Sequence, residues 1–161
     1  MGGSMHIKLA DPEDLKDILD LVKDYESYDV EFARRYYELY FAKEKITEKD
    51  QVYVAKINEK IIGVIGFCRD YLSTEHSYWL GWFVVDKKFQ GDKELNVAKK
   101  LLNKVVTKLK KREIKNLFVS TEDTNRKAKS FYTKNQFRTE AVLRDYYDKD
   151  EDQLILSKVI N

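Results

Sequence analysis

The hydrophobic and polar positions of this chain repeat with two periods. Short runs that alternate predict strands, and longer runs with apolar positions three or four residues apart predict helices. In chain order the pattern predicts β-α-α-β-β-β-α-β-α-β-β. The predicted strands cover 6–9, 52–57, 61–70, 78–85, 117–121, 137–147 and 153–160, and the predicted helices cover 12–25, about 30–43, a segment carrying 95–109, and a segment opening at Asn125.

The connections between the predicted strands decide how the strands pair. Short polar turns at 58–60 and 148–152 predict antiparallel hairpins. The strand 78–85 is followed by a helix and then by the strand 117–121, and a crossover of this kind makes its two strands parallel. We therefore predict an α/β fold (an α+β mixed sheet), in which about seven mostly antiparallel strands are flanked by about four helices.

Length and composition fit one folded domain. The chain has 161 residues, of which 43% are hydrophobic and 36% are charged, and this suits a single hydrophobic core. The segment 1–4 has the composition of a tag remnant, so we place a single domain at 5–161. No apolar run approaches the roughly 20 residues that a membrane span needs.

Charge and cysteine content restrict the partners. The formal net charge of +2 gives no strongly basic face for a nucleic acid. The single cysteine, Cys68, excludes an internal disulfide and fits a reducing compartment. We expect a cytoplasmic protein with no metal, no nucleic-acid partner and no membrane partner.

The segment 77–137 carries the candidate chemistry. The turn 89–92, Phe-Gln-Gly-Asp, joins a strand to a helix, and a glycine-containing turn at a helix N-terminus is a site for a phosphate group. The helix that opens at Asn125 delivers Tyr132, which is a candidate proton donor. Together they predict acyl transfer from a phosphorylated carrier. Taken alone, Tyr132 also fits a core aromatic residue and Asn125 an ordinary helix cap.

Two motifs resemble those of one enzyme family. The segment 125–137 is similar to its Asn-x-x-Ala-x-x-x-Tyr-x-x-x-Gly-Phe motif, with Gln136 in place of the glycine, and we expect Asn135 to take the helix-ending role. The segment 85–91 is similar to the end of that family's fourth strand and its turn into a pyrophosphate loop. On these residues, and in element order over nearly the whole native chain, the protein resembles the GCN5-related N-acetyltransferase (GNAT) superfamily. In that fold, strands four and five are parallel and splayed.

The pyrophosphate loop departs from the family pattern, which is Gln/Arg-x-x-Gly-x-Gly/Ala. A three-residue insertion after Gln90 restores the pattern with Asn96 and Ala98. Asparagine tolerates left-handed backbone better than most residues, which favours this alignment. Asp92 and Glu94 then bring negative charge near a pyrophosphate.

The resemblance implies an N-acetyltransferase that moves an acetyl group from acetyl-CoA (coenzyme A) to a primary amine, by direct attack through a tetrahedral intermediate. It implies that Tyr132 is the general acid that protonates the leaving thiolate, and that Asn125 contacts the pantetheine. The cofactor-binding residues that it implies are Phe83, Val84, Val85, Gln90, Gly91, Asp92, Lys93, Asn96, Val97, Ala98, Lys99, Asn125 and Tyr132.

The general base stays open at the level of sequence. Many family members carry a glutamate on strand four or five, and the strand-five position holds Ser120 here. A base must lie within reach of the acceptor ammonium, so nearby titratable residues are the candidates, and a water chain is the alternative. These residues are Glu75, His76 and Glu122.

The acceptor, a small-molecule amine or a protein or peptide amine, is also open. The family builds its acceptor floor from the first two helices and the last two strands, where the candidate substrate-binding residues are Tyr36, Tyr146 and Tyr147. The last two, with the acidic residues at 151–152, resemble the tail of protein N-terminal acetyltransferases. We expect a monomer or a homodimer. The alternative functions are a non-catalytic acyl-CoA-binding or sensing module, and a domain that serves only as a partner-binding surface.

Overall fold

The computed structural model describes residues 4–25, 30–42, 50–70 and 74–160. Within them the chain forms strands and helices in the predicted order. The elements are β1 (His6–Leu9), α1 (Leu15–Tyr25), α2 (Val30–Ala42), β2 (Gln51–Ile57), β3 (Lys60–Arg69), β4 (Ser77–Val85), α3 (Val97–Lys111), β5 (Asn116–Glu122), α4 (Arg126–Lys134), β6 (Arg138–Asp148) and β7 (Glu151–Val159). Most of the proposed tag remnant, 1–3, and the predicted helical residue Lys43 lie outside the described residues.

The strands form one seven-stranded sheet in the order β1-β2-β3-β4-β5-β7-β6. The pairs β1–β2, β2–β3, β5–β7 and β6–β7 are antiparallel. The crossover through α3 makes β4 and β5 parallel, and their ladder joins three residue pairs, from Ser77↔Asn116 to Trp79↔Phe118. The predicted mixed α/β sheet with a parallel fourth and fifth strand is therefore confirmed.

Three predicted boundaries move by two or three residues. The first helix, predicted from residue 12, is an α-helix only from Leu15, because 12–14 form a 3₁₀ turn. Leu95 precedes α3, which begins only at Val97, because Asn96 has φ 44° and a left-handed residue interrupts helical geometry. The final strand begins at Glu151, two residues earlier than predicted, because acidic residues on an exposed hairpin still form ladder hydrogen bonds. Alternation alone cannot show this, since the side chains at 151–152 are polar.

By contact density the chain consists of two compact units. The first combines Met1–Cys68 with Gly81–Thr107, and the second combines Arg69–Leu80 with Lys108–Asn161. Three elements, β3, β4 and α3, contribute residues to both. The prediction of a single domain at 5–161 stays a prediction.

The first unit has a core of aliphatic and aromatic side chains between the sheet and two helices. The apolar face of α1 packs with α2 against β2, β3 and Val84 of β4. Asp11 and Asp14 form a capping box at the 3₁₀ turn 12–14 that leads into α1, and Pro12 is the first residue of that turn. The core residues are Ala10, Ile18, Leu19, Leu21, Val22, Ala33, Tyr37, Tyr40, Val52, Val54, Ile61, Val64 and Val84.

The second unit is built around β5, which lies between the start of β4 and β7. Trp79 and Phe118 face each other across the parallel ladder, and their rings stack at 5.1 Å. Leu117 and Val119 alternate with more exposed residues along β5, so one face of the strand is fully covered. This places α4 and the β6–β7 hairpin on a rigid strand, where a site can be held precisely in position.

Candidate functional site

The end of β4 leads into a short turn whose geometry is fixed by polar contacts. Asp86 accepts a hydrogen bond from the Lys88 N–H at 2.9 Å, and its own N–H donates to the Ile62 carbonyl at 2.9 Å. The side chain of Gln90 folds back, and its Nε2 donates to the Val85 carbonyl at 2.9 Å. The Val85 carbonyl therefore accepts a hydrogen bond within the protein. This bond and those of Asp86 fix the direction in which the chain enters the loop that follows.

The loop between Gln90 and α3 contains two residues with left-handed backbone. Gly91 has φ 78°, and no atom lies within 4 Å of where a Cβ would stand. Asn96 has φ 44°, in the conformation that the alignment with an inserted loop assumes for it. Asp92 lies between them and holds the loop through hydrogen bonds to the backbone.

The first turn of α3 presents backbone donors. The first helical hydrogen bond runs from the Lys100 N–H to the Asn96 carbonyl at 3.0 Å, so the N–H groups of 97–99 precede the intrahelical ladder. They point along the positive end of the helix dipole, and the side chains of Lys93 and Lys99 are exposed beside them. This donor set fits a diphosphate group.

A close approach of backbone holds α3 over the sheet. A Cβ added at Gly63 of β3 would lie 2.9 Å from Leu101 Cδ1 and 3.0 Å from Val97 Cγ1. Only glycine lets the first turns of α3 pack so near to β3. The position of the helix N-terminus is thus set by the core of the first unit.

The N-terminus of α4 is capped by Asn125, as the sequence predicts. Its Oδ1 accepts a hydrogen bond from the Ala128 N–H at 3.0 Å, and its backbone N–H donates to the Glu122 carbonyl at 3.1 Å. The carbonyl oxygen of the side chain is therefore used by the helix, while the amide nitrogen has two N–H groups to offer a ligand.

The C-terminus of α4 holds Tyr132 in place. The Phe137 N–H donates to the Tyr132 carbonyl and the Gln136 N–H to the Thr133 carbonyl, both at 3.0 Å. These are the two bonds of a Schellman motif. The rings of Tyr132 and Phe137 pack with centroids 5.2 Å apart, and Tyr132 is 6% exposed. The candidate acid is thus a buried tyrosine with a fixed ring.

Asn135 is the residue that ends α4, as expected, but the left-handed position of the helix end falls on the next residue. Gln136 has φ 69° and occupies that position, where the family motif has glycine, while Asn135 has φ −97°. Asn135 supports the end of the helix in another way, because its Nδ2 donates to the Phe131 carbonyl at 2.8 Å. The segment 125–137 has the same number of residues as the family motif, so the last turn of α4 keeps its geometry. The glutamine at position 136 must then adopt a left-handed backbone, which is strained for an L-residue.

The three base candidates lie at two different ends of β5. The His76 carbonyl accepts from the Lys115 N–H at 3.0 Å, and Glu75 is 81% exposed beside Arg69, so both lie where β5 begins. Glu122 ends β5, about 20 Å further along the strand at 3.3 Å per residue. Glu122 alone shares its end of the strand with Asn125.

Tyr146 and Tyr147 lie in a wide bulge of β6. Four residues of β6, 144–147, stand opposite the single β7 residue Asp152. Asp145 has φ 51° in this bulge, and its N–H donates to Asp152 Oδ1 at 2.9 Å. The two tyrosine rings meet edge to face at 5.0 Å and are 56% and 45% exposed. Such a bulge re-aims side chains out of the pleat, which suits recognition.

Gln153 is a further candidate residue, which the sequence alone does not point out. It is buried at 8% exposed, its Nε2 donates to the Tyr147 hydroxyl at 2.9 Å, and it stands directly opposite Glu122 in the β5–β7 ladder. Gln153 therefore lies between the base candidate Glu122, its neighbour in the ladder, and the acceptor candidate Tyr147, to which it is hydrogen-bonded. A polar residue at an inward position of a predicted strand was the signal available for it.

Tyr36 lies on the first unit, at the face of the sheet. Its hydroxyl would be 3.2 Å from a Cβ at Gly66 and 3.1 Å from a Cβ at Gly81. Two glycines on neighbouring strands thus leave room for this phenol at the middle of β4.

The candidate residues form two groups. The first unit holds Tyr36, the end of β4 and the loop to α3. The second unit holds Glu75, His76, Glu122, Asn125, Tyr132, Tyr146 and Tyr147.

The family of the chain follows from its sequence. A sequence model of the acetyltransferase (GNAT) family matches residues 15–137, which is more than half of the chain. The chain therefore belongs to the GNAT family of acetyltransferases and is an acyltransferase, as the resemblance of its motifs implied. None of the curated proteins searched matches the sequence.

Solved structures share the fold over nearly the whole chain. A protein from Desulfovibrio desulfuricans described as an acetyltransferase of the GNAT family is 18% identical, with a TM-score of 0.87 over 98% of this chain and 100% of that one. The ribosomal-protein-S18-alanine N-acetyltransferase from Escherichia coli is 17% identical, with a TM-score of 0.81 over 98% and 95%. An aminoglycoside 6′-N-acetyltransferase complexed with coenzyme A is 16% identical, with a TM-score of 0.78 over 97% of each chain.

The described part of the chain has neither a membrane-spanning helix nor a cluster of metal-binding side chains. No helix there is both long and apolar enough to cross a membrane. No group of three or more histidine, cysteine, aspartate or glutamate side chains in the same residues is arranged to hold a metal ion.

Proposed function

We propose that this protein transfers the acetyl group of acetyl-CoA to a primary amine by direct attack. The observation that carries the proposal is the folded family motif, in which Asn125 caps α4 and Tyr132 is held in its last turn by a Schellman motif. Family membership over 15–137 supports the reaction class. Coenzyme A would supply an activated thioester, and the donors of 97–99 together with Gly91, Lys93 and Lys99 would hold its phosphates.

The roles of the residues follow from the balance of the reaction. The amine nitrogen forms a bond to the acetyl carbonyl carbon, the carbon–sulfur bond breaks, and the products are an acetamide and a thiol. The acceptor ammonium loses two protons, one before it attacks and one from the nitrogen of the tetrahedral intermediate. One proton is delivered to the departing sulfur, so one proton is released to solvent overall. We assign the delivery to the Tyr132 hydroxyl and the removal to the Glu122 carboxylate, directly or through water. Glu75 and His76 are set aside, since they lie at the other end of β5.

The candidate acceptor-binding residues are Tyr146 and Tyr147 in the second unit and Tyr36 in the first. The hydroxyl of Tyr147 accepts from Gln153, and the exposed tyrosine pair stands in a hairpin rich in aspartate, which suits a cationic amine. The names of the structural neighbours include both a ribosomal protein alanine and an aminoglycoside as acceptors. The fold therefore does not choose between peptide and small-molecule amines.

The test is release of coenzyme A thiol with a panel of amines. The panel holds peptides with a free α-amine, peptides with only a lysine amine, aminoglycosides and simple alkylamines, each checked for the acetylated product by mass spectrometry. We expect turnover with at least one class. Binding of acetyl-CoA without turnover on any of them would favour a non-catalytic sensing module and would contradict the proposal.

Tyr132→Phe tests the assigned acid. Loss of a positioned proton donor should lower kcat by about 10²–10⁴-fold while acetyl-CoA still binds. The matched control is Tyr40→Phe, which removes a buried hydroxyl that accepts from the Val52 N–H at 3.1 Å. The control should lose stability and keep its kcat. Full turnover by the Tyr132 variant would show that another group protonates the thiolate.

A further inference from the structure

Asp92 is the centre of the loop between β4 and α3. Its Oδ1 accepts hydrogen bonds from the N–H groups of Glu94 and Leu95, both at 2.9 Å. Its carbonyl accepts from the Asn96 N–H at 3.0 Å, and its own N–H donates to the Phe89 carbonyl at 3.4 Å. One residue thus ties together the backbone from 89 to 96.

These bonds decide which donors remain for an anion. Asp92 uses the N–H groups of 94, 95 and 96, and Lys100 donates to the Asn96 carbonyl to begin the helix. The donors of 97–99 lie between these two sets. Asn96 is left-handed and its N–H donates to the Asp92 carbonyl, so the bonds of Asp92 help to set the direction in which the first turn of α3 presents those donors.

The negative charge of Asp92 opposes the binding of an anion, whereas its hydrogen bonds position the donors that would bind one. The loop carries two exposed carboxylates, Asp92 and Glu94, within a few residues of the donors that would hold a diphosphate. Like charges repel, and the repulsion is weakened by salt because both groups face solvent. The hydrogen bonds of Asp92 therefore favour the bound anion, while its charge opposes it.

We propose that Asp92 is a positioning residue for the coenzyme A diphosphate, that it acts through its hydrogen bonds to the loop backbone, and that its negative charge weakens cofactor binding. The inference rests on the proposed function, because it concerns the same loop. In the family pattern, small glycines let the loop backbone come close to the diphosphate. In this chain, the hydrogen bonds of Asp92 would shape the loop instead.

The experiment is calorimetric titration of acetyl-CoA into the whole protein and four variants. Asp92→Asn keeps the oxygen that accepts from both N–H groups and removes the charge, so Kd should fall about threefold at low salt and less at high salt. Asp92→Ala removes the oxygen, and disorder of the loop should raise Kd about tenfold. Glu94→Gln and Glu94→Ala are the matched controls, and both should lower Kd, because the Glu94 side chain supplies charge alone.

The outcomes separate this inference from the proposed function. If the unchanged protein binds acetyl-CoA and Asp92→Ala binds it as well or better, the positioning role is overturned and the function stands. If Asp92→Asn is as weak as Asp92→Ala, the charge itself is required and the inference is also overturned. If the unchanged protein shows no binding, the function and the inference fall together. Amide exchange of 94–96, measured without cofactor, should rise in Asp92→Ala and stay unchanged in Asp92→Asn.

Discussion

Asp14 has two roles, one at the start of a helix and one in a buried ion pair. It lies in the 3₁₀ turn that leads into α1, where an acid favours the positive helix end. In the structure it is 5% exposed, and Lys56, which is also buried, lies 2.7 Å from its Oδ1. A third charge, Lys8, lies 3.3 Å from its Oδ2.

The pKa of Asp14 records the balance of these contacts. Burial alone would raise the pKa, but hydrogen bonds from Lys56, a backbone N–H and Lys8 outweigh it, and the pKa lies below its ordinary value. A carboxyl with a lowered pKa in the folded state stabilises the protein above its unfolded pKa of about 4, and this stability is lost as pH falls through the folded-state pKa.

Asp14→Asn should therefore lower the free energy of unfolding at pH 7 by about 3 kcal/mol. It leaves the buried Lys56 ammonium with only the exposed carboxylate of Glu59, 3.9 Å away, as a counter-charge. The loss should shrink as pH falls below about 4 towards the lowered folded-state pKa of Asp14, where the unchanged protein also loses the carboxylate. Urea unfolding between pH 7 and pH 3 measures both effects. The control is Asp20→Asn, whose partner Lys16 is 82% exposed at 2.8 Å, and it should leave stability essentially unchanged. An equal effect of the two variants would contradict this account.

Single residues also show how far the sequence could predict the site. Asn125 and Tyr132 were found because a motif with fixed spacing along one helix is a local feature. Gln153 and the carboxylate of Asp92 were not assigned their contacts, because their partners depend on a strand register and on a loop fold. Residues whose role is set by long-range pairing leave only a weak signal in the sequence.

At the scale of elements, α4 shows a conflict between a residue and its position. Gln136 takes the left-handed position of the Schellman motif with φ 69°, which costs an ordinary L-residue more than glycine. Its Oε1 receives a hydrogen bond from Lys158 Nζ at 3.0 Å, and the same ammonium also reaches the Asn135 carbonyl. Burial lowers the pKa of Lys158. The helix end is thus supported from β7 while its backbone remains strained.

Gln136→Gly should raise the free energy of unfolding by about 1 kcal/mol, because it removes the strain and leaves Lys158 its bond to the Asn135 carbonyl. The matched control is Thr133→Gly, three residues earlier inside α4, which should lower stability by about 0.5 kcal/mol. Thermal unfolding gives both values. If the Gln136 variant is the less stable of the two, the contact of Gln136 with Lys158 matters more than the strain.

The hairpin of β6 and β7 shows why element boundaries were easier to predict than element geometry. Alternation along 137–147 predicts a strand, and the structure contains one. The wide bulge at 144–147 was not predicted, since a bulge is a property of two strands in register and local alternation describes one. The sequence places Tyr146 and Tyr147 close to the turn, but it does not predict the bulge in which they are exposed. Their role as acceptor-binding residues stays a prediction.

For the molecule as a whole, the order of elements was the most predictable property. The crossover rule made β4 and β5 parallel, and the sheet order places the final hairpin with β7 inside and β6 at the edge. The division into two units was not predicted, because no linker separates them in the sequence. Instead the chain passes from one unit to the other within β3, β4 and α3.

This continuity leads to a prediction about cooperative unfolding. Because three elements contribute to both units, we expect one calorimetric transition, and saturating acetyl-CoA should shift it as a whole. A ligand at 100 times its Kd stabilises the folded state by about 2.7 kcal/mol, which for a chain of this size raises Tm by about 5–10 °C. Desulfo-CoA, which keeps the diphosphate, should act similarly, and pantetheine, which lacks it, should not. Two transitions, of which acetyl-CoA shifts only one, would show that the units unfold independently and that the cofactor donors belong to one of them.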